Sequence, residues 1–238
     1  MSVSVEHGSN KVPPLESGDR LTRHEFERRY HAMPHVKKAE LIEGVVYVPS
    51  PLRFRSHGQP HGNLIIWLGT YKVSTPGVEL GDNATVRLDL DNELQPDVVL
   101  LIEEKLGGQA HISDDDYIEG APELVAEVAA SSAAIDLYDK KRAYRRNGVQ
   151  EYIVWQILEN KLDWFSLQNG EYVPLEADAD GTIKSWVFPS LWLAMPALLA
   201  GEMTKVLAVL QQGLNSQEHT EFVQKLSRQS YTKPSTDM

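Results

Sequence analysis

Two acidic residues embedded in short apolar segments constrain this chain more than any other feature of its sequence. Asp97 immediately precedes the segment VVLLI at 98–102, and Glu127 lies inside the segment LVAEV at 124–128. Both segments are short and apolar, so each predicts a buried strand. A carboxylate is rarely buried unless it is paired or binds a metal, because its removal from water costs several kcal/mol. The pattern therefore predicts two strands that each carry a functional or ion-paired acid.

The two acids differ in how easily a purely structural role explains them. Asp97 follows Pro96. We therefore give equal weight to two interpretations of Asp97, an ordinary turn residue that caps the strand and a functional acid. Glu127 has apolar neighbours on both sides and no strand end nearby. The long connection between the two segments allows the strands to lie side by side, with both acids near the same end. Two such acids together with a lysine are what metal-assisted phosphodiester hydrolysis requires.

A helix predicted at 134–146 supplies the lysine. Asp136, Lys140 and Tyr144 are spaced four residues apart and share one face, beside the apolar stripe that should meet the sheet. Lys141 lies on the other flank of that stripe, and the periodicity leaves it open as the functional lysine. The alternative for Lys140 is a simple pair with Asp136 on a solvated face.

The outer face of the same helix carries Arg142, Arg145 and Arg146, the densest basic strip in the chain. Such a strip is either a solvated helix face or a surface that tracks phosphates. The net charge of −11 argues against a broad nucleic-acid-binding surface but permits a local strip beside an acidic metal centre.

The rest of the pattern alternates helices with strands and predicts a mixed α/β fold. Thr22 begins a helix, with Glu25 in capping-box position. The other predicted elements are strand–turn–strand at 39–48, a helix from about 57 to 75, a strand at 85–90, a turn at 91–93, a loop at 103–120, a strand meander at 152–175 and helices at 196–226. We predict a flexible N-terminal arm at 1–18, a main domain at 19–195, and a helical C-terminal extension with a frayed tail at 196–238.

Composition narrows the chemistry and the compartment. The chain has 238 residues and no cysteine, so disulfides and thiolate metal sites are excluded and any metal is held by oxygen or nitrogen. No secretion signal and no segment of membrane-spanning length are evident, which predicts a cytoplasmic protein without a membrane partner. Abundant apolar residues between 186 and 210 predict an exposed patch, and hence a homodimer.

Several short motifs, in this order and spacing, match a known family. They are ELIEG at 40–44, Ser56-His57 with Gly62-Asn63, Gln95-Pro96-Asp97, Glu127-Val128, the row Asp136–Lys140–Tyr144, and GVQEY at 148–152. Over about residues 20–200 the chain resembles the Uma-two-like restriction endonucleases, a bacterial branch of the PD-(D/E)XK nuclease superfamily. The resemblance implies a restriction-endonuclease-like fold, with a mixed central sheet flanked by helices.

The resemblance also implies site roles. Asp97, Glu127 and the backbone carbonyl of Val128 would hold Mg²⁺ or Mn²⁺, and Glu40 would complete the acidic pocket. The lysine that usually stands two residues after the second acid is replaced here by Ala129, and in this branch Lys140 takes its place. One residue fewer separates Glu127 from Asp136 than in many relatives, which shifts the placement of Lys140.

These features predict an Mg²⁺-dependent endonuclease acting on DNA, with Glu40, Asp97, Glu127 and Lys140 as catalytic residues. His57, Gln95, Lys141 and Tyr144 are further candidates, and His57 is more simply a structural histidine. One alternative is a degenerate member of the fold that binds nucleic acid or a protein without cutting. Another is a metal-free enzyme with a carboxylate pair, such as a glycosidase.

Overall fold

A computed structural model describes residues 12–49 and 51–232 of the chain. Most of the predicted N-terminal arm (residues 1–11) and the end of the predicted frayed tail (residues 233–238) lie outside the described residues. The remainder is a mixed α/β structure, as predicted, built on two six-stranded sheets.

The central sheet carries both of the predicted acidic strands. Its strand order is β12-β11-β10-β9-β6-β3, and the β9–β10 pair is parallel whereas the other pairs are antiparallel. The predicted meander is confirmed as β10, β11 and β12. The strands are β3 Val78–Asp82, β6 Val98–Ile102, β9 Leu124–Ala129, β10 Glu151–Gln156, β11 Lys161–Gln168 and β12 Glu171–Pro174.

A second mixed sheet packs against the central one and was not predicted as a separate layer. Its order is β2-β1-β5-β4-β8-β7, from strands β1 Glu40–Ile42, β2 Val45–Tyr47, β4 Val86–Asp89, β5 Asn92–Leu94, β7 His111–Ile112 and β8 Ile118–Glu119. The prediction of a turn at 91–93 was wrong for Asn92 and Glu93, which are buried in β5. The predicted loop at 103–120 contains a 3-10 turn at Glu104–Leu106 and the short strands β7 and β8. Strands of two residues are too short to give a sequence pattern, and β8 pairs with the earlier strand β4, whereas β7 pairs locally with β8.

The helices are α1 Arg23–His31, α2 Gln59–Ser74, α3 Lys141–Asn147, α4 Met195–Leu199, α5 Met203–Leu214 and α6 Gln217–Thr232. Wide, π-helical turns at Phe54–Gly58 and Ile135–Lys140 lead into α2 and α3. A small hairpin of β13 Thr182–Lys184 and β14 Trp192–Ala194 precedes α4. The predicted capping box was wrong: Thr22 makes no side-chain cap, and Glu25 instead pairs with Arg28 and Arg29.

The central sheet separates two hydrophobic clusters. One face packs on α2, α5 and α6, and the other face packs on α3 and the second sheet. Phe188, Leu191 and Leu198 are fully buried in the first cluster, so most of the apolar segment at 186–210 is internal. The apolar surface from which a dimer was predicted is therefore mostly absent, although Trp186 stays exposed. Among residues 12–49 and 51–232, no helix combines the length and the apolar character needed to cross a membrane.

Candidate active site

The pairing of β6 with β9 brings the two predicted acids together. Val98 lies opposite Ala126 in this antiparallel pair, which places Asp97 across from Glu127 one step further along. Residues opposite each other on antiparallel strands project to the same face. That face also carries Val99 and belongs to the layer between the two sheets. Both carboxylates are buried, as the sequence predicted.

Lys140 lies at the centre of the acidic pocket. Its Nζ lies 2.9 Å from Glu127 Oε1, 3.0 Å from Glu40 Oε1 and 3.7 Å from Asp136 Oδ1. Glu40 is contributed by β1 of the second sheet, Glu127 by β9, and Lys140 and Asp136 by the turn before α3. Glu40, from far earlier in the chain, thus meets two consecutive elements at one ammonium group.

The pocket holds more negative than positive charge. Burial alone lowers the pKa of a lysine, but Glu127, Glu40 and Asp136 raise the pKa of Lys140 well above its usual value and keep it an ammonium. Burial raises the pKa of Glu127, Lys140 opposes that rise, and the carboxylate of Asp97 adds to it. Tyr144, buried on α3, donates a hydrogen bond of 3.0 Å to Glu127 Oε1. Like charges are therefore crowded in a site that water reaches poorly.

Asp97 is held by a different set of groups. Its Oδ2 accepts a 2.7 Å hydrogen bond from the amide of Val128 and lies 3.1 Å from His57 Nε2. Lys38 Nζ is 3.8 Å from Oδ1. Burial raises the pKa of Asp97, but His57, Lys38 and the Val128 amide together lower it to about 2. Asp97 is therefore ionised at neutral pH.

His57 and a second histidine, His61, flank Asp97 on one side. A potential ligand atom from each of His57, His61 and Asp97 lies within 4.8 Å of the others. Sequence analysis kept His57 as a further candidate, more simply explained as a structural histidine, and did not single out His61. A sequence signal was available, because the two histidines are four residues apart, His57 in the π-helical turn and His61 in the first turn of α2, a spacing that puts side chains near one another on a helix.

Two further candidates lie apart from the carboxylates. Lys141, which periodicity left open, points to the far side of α3, where its Nζ lies 3.4 Å from the centroid of the Phe165 ring. Gln95 touches the site through its backbone, whose amide donates a 2.8 Å hydrogen bond to Glu40 Oε1. The Gln95 side chain turns away, with its Nε2 3.2 Å from Thr85 Oγ1.

The predicted basic strip is on the surface but already paired with acids. Arg142 contacts Glu43 and Asp139, Arg145 contacts Glu171, and Arg146 contacts Glu43 and Asp89. Exposed pairs of this kind contribute at most about 1 kcal/mol and exchange partners readily. The strip therefore presents less free positive charge than the sequence suggested.

The donors in the pocket suit a hard divalent cation. Carboxylate and carbonyl oxygens are the ligands that Mg²⁺ and Mn²⁺ prefer, and Glu40, Asp97 and Glu127 supply three carboxylates. The amide and the carbonyl of one residue in a strand both point toward the same neighbouring strand. The carbonyl of Val128 therefore faces the side of the strand on which its amide meets Asp97. Three buried acids, Glu40, Glu127 and Asp136, surround the one buried Lys140, an excess of negative charge that a cation would offset.

Comparisons with known proteins identify the family and the fold. A family model described as Uma2, "Putative restriction endonuclease", matches residues 24–196, well over half of the chain. The chain belongs to the Uma2 family. A comparison with curated proteins found no match.

The fold of this Uma2 protein also resembles a solved structure. A "putative nuclease belonging to DUF820" from Anabaena variabilis superposes with a TM-score of 0.55 at 15% sequence identity, covering 73% of this chain and 96% of that one. At this identity the likeness concerns the fold alone. It confirms the predicted restriction-endonuclease-like architecture.

Proposed function

We propose that this protein is a metal-dependent endonuclease that hydrolyses phosphodiester bonds in DNA, with Mg²⁺ or Mn²⁺ as the cofactor. The observation that carries the proposal is the meeting of Glu40, Asp97 and Glu127, from three separate strands, in one buried pocket beside Lys140. Membership of the Uma2 family supports nuclease chemistry in general. A pocket made only to stabilise the fold would not need this many acids, since buried like charges repel one another.

Glu40, Asp97 and Glu127, with the carbonyl of Val128, would hold the cation. When bound, a divalent cation lowers the pKa of a water molecule and stabilises the negative charge that develops on the phosphate. Tyr144 fixes the orientation of the Glu127 carboxylate through its hydrogen bond. The amide of Val128 does the same for Asp97.

Lys140 supplies a positive charge that does not depend on the metal. Because its pKa is raised, Lys140 remains protonated at neutral pH. A buried ammonium at this position offsets charge on the pentacovalent phosphate and orients the attacking water, and it costs no reorganisation during the reaction. We assign Lys140 to charge stabilisation rather than to proton abstraction.

The segment that leads into His57 offers a second surface for the DNA backbone. Arg53 and Arg55 are exposed, and neither pairs with an acid within the part of the chain that the structure describes. The backbone carbonyl of Arg53 accepts the amide of His57, which ties this segment to the site. Free cations this close to the carboxylates suit phosphate contacts better than the paired strip of Arg142, Arg145 and Arg146.

Cleavage of a supercoiled plasmid and of a single-stranded oligonucleotide in Mg²⁺, Mn²⁺ or chelator tests the proposal. We expect metal-dependent cutting by the wild type, a loss of at least about a thousandfold in Glu127→Gln because a ligand and its charge are removed, and no change in Glu159→Gln, which alters an exposed glutamate. DNA binding without cutting in any metal would favour the degenerate alternative. Cutting that persists in chelator would contradict the metal-dependent mechanism.

Salt dependence of DNA binding distinguishes the two basic surfaces. Arg53→Gln with Arg55→Gln should flatten the plot of log affinity against log salt by roughly one unit per lost contact. Arg142→Gln, Arg145→Gln and Arg146→Gln together should change it less, because those charges are already paired. A larger effect of the triple variant would restore the strip as the main phosphate surface.

The homodimer and the cytoplasmic location remain predictions from the sequence. Light scattering at micromolar concentration tests the first, and the mass of a single 26.7 kDa chain would contradict it.

A further inference from the structure

The two histidines beside Asp97 carry nitrogen atoms that the fold leaves unused. His57 is buried, and its Nε2 lies 3.1 Å from Asp97 Oδ2; in the tautomer that carries the proton on Nδ1, the lone pair of Nε2 faces that carboxylate, an arrangement that a cation between them would stabilise. His57 Nδ1 is buried and has no hydrogen-bond partner among the described residues. Buried polar atoms are almost always satisfied, and an exception calls for an explanation such as an absent ion or water.

His61 repeats the same anomaly one helical turn later. Its Nε2 is also buried without a hydrogen-bond partner in the described part of the chain. The nearest acid oxygen, Asp82 Oδ1, lies 3.0 Å away but outside hydrogen-bond geometry. The side chain of His61 is only 13% exposed. Two buried imidazoles with unsatisfied nitrogens therefore face the same carboxylate.

We propose that His57, His61 and Asp97 bind a transition-metal ion of the class that imidazole nitrogen and carboxylate oxygen hold together, such as Zn²⁺, Mn²⁺, Fe²⁺ or Co²⁺. The proposal deepens the proposed function, with which it shares Asp97. It specifies a cation position next to His57 and His61 rather than among Glu127, Glu40 and Lys140. Asp82 is placed to add a second oxygen, since it already lies beside His61.

The distances fit such a site after a small adjustment. The three ligand atoms lie within 4.8 Å of one another, and ligand atoms around a tetrahedral zinc ion lie roughly 3.3 Å apart, given bonds of about 2.0 Å. The separation of 3.1 Å between His57 Nε2 and Asp97 Oδ2 already matches this value, and the side chain of His61 would have to move toward them. The ammonium of Lys38 lies 3.8 Å from Asp97 Oδ1, whereas His57 approaches the other oxygen, Oδ2.

The donor set also predicts which metal is preferred. Mg²⁺ requires near-ideal octahedral oxygen ligands and binds imidazole poorly, whereas Zn²⁺ and Mn²⁺ accept nitrogen. The wild type should therefore bind Zn²⁺ and Mn²⁺ more tightly than Mg²⁺. Because transition metals also bind oxygen sites tightly, the effect of the histidine variants, and not this order alone, identifies the site.

Calorimetric titration of the full chain with Zn²⁺ tests the proposal. His61→Gln should weaken Zn²⁺ affinity at least about tenfold, and His57→Gln should do so too. His111→Gln alters an exposed histidine on β7 and serves as the matched control, with unchanged affinity. Thermal melts without metal confirm that each variant is folded, and His61, at the edge of the site, is the variant expected to fold most like the wild type. Pulsed EPR of bound Mn²⁺ should show imidazole nitrogen coupling in the wild type and a reduced coupling in His61→Gln.

Glu127→Gln separates this inference from the proposed function. Zn²⁺ affinity retained within about threefold in Glu127→Gln, together with its loss in His61→Gln, supports a site on the histidine side. Loss of Zn²⁺ binding in Glu127→Gln with unchanged binding in His61→Gln would overturn the inference and leave the carboxylate centre standing. Histidine-dependent Zn²⁺ binding without DNA cleavage in any metal would instead refute the proposed function and leave this site intact.

Discussion

Two buried glutamates on adjacent parallel strands have very different hydrogen-bonding and charged surroundings. Glu151 opens β10 and is bound only by donors: its carboxylate accepts hydrogen bonds from Trp164 Nε1, from Ser185 Oγ and from the amides of Trp186 and Val187. Glu127, on β9 beside it, faces a lysine and a tyrosine but also three other carboxylates. One glutamate is saturated by donors, whereas the other is crowded by like charge.

The difference separates a structural acid from a functional one better than burial does. Burial raises the pKa of both glutamates, but the four hydrogen-bond donors around Glu151 lower its pKa and so oppose the effect of burial. That arrangement stabilises the connection between the meander and the 185–187 segment. The surroundings of Glu127 repel one another unless a cation joins them. A site that the fold stabilises only in part is typical of functional centres.

The largest expected effect comes from removing the positive charge beside Glu127. Lys140→Met leaves three buried acids unpaired and should lower the free energy of unfolding by about 3–5 kcal/mol in chelator at pH 8. A divalent cation should recover part of this loss, since it replaces the missing charge. Urea denaturation measures both effects. As a control, Lys161→Met removes an exposed partner of Asp163 and should change the free energy of unfolding by less than about 1 kcal/mol. An equally small loss for Lys140→Met would contradict the conclusion that the acids around Glu127 repel one another.

The next largest effect concerns the saturated glutamate. Glu151→Gln replaces an acceptor with an amide group that cannot satisfy four donors, so it should cost about 2–4 kcal/mol. Thermal or urea denaturation at pH 8 gives the value. The folded fraction of this variant should cut DNA, if the wild type does, at the wild-type rate, because Glu151 does not line the pocket. Stability equal to that of the wild type would mean that the four donors do not need a carboxylate.

The matching change at Glu127 should act in the opposite direction. Burial raises the folded-state pKa of Glu127 above its ordinary value of 4.5. Its contribution to stability is therefore complete below pH 4.5 and is lost as pH rises toward the raised pKa. Glu127→Gln removes this loss and should be more stable than the wild type by about 1 kcal/mol at pH 8 in chelator. The gain should shrink toward pH 5, and a constant destabilisation at every pH would show that Glu127 is structural like Glu151.

The smallest expected difference comes from single donors to each carboxylate. Tyr144→Phe removes one hydrogen bond from Glu127, which keeps that of Lys140, and should cost about 0.5–1 kcal/mol. Ser185→Ala removes a donor to Glu151 and also leaves the amide of Phe188 without its acceptor, so it should cost about 1–2 kcal/mol. Denaturation of the pair under one condition decides the order. The reverse order would place the better-satisfied acid at Glu127.

The sequence predicted those parts of the site that follow from local pattern. Apolar segments located Asp97 and Glu127, and four-residue spacing placed Lys140 and Tyr144 on the face that meets the sheet. What it missed depends on contacts between distant residues. The neutralisation of Arg146 by Glu43, 103 positions earlier, has no local signature. The second sheet was missed in part for the same reason, because the β1–β5 and β4–β8 pairs that join its hairpins connect residues far apart in the chain.

Helix α6 has a consequence for synthesis of the protein. Phe222 and Leu226 on this helix are buried in the same cluster as Leu106, which lies in the turn after β6. A ribosome adds residues in order at about 5–20 per second, so roughly 6–24 seconds separate Leu106 from its partner Leu226. During that time α5 and α6 have not been synthesised, so the apolar face of the nascent central sheet that they cover remains exposed. We expect the growing chain to be most vulnerable to aggregation in this interval, and to depend then on chaperones that bind exposed apolar surface.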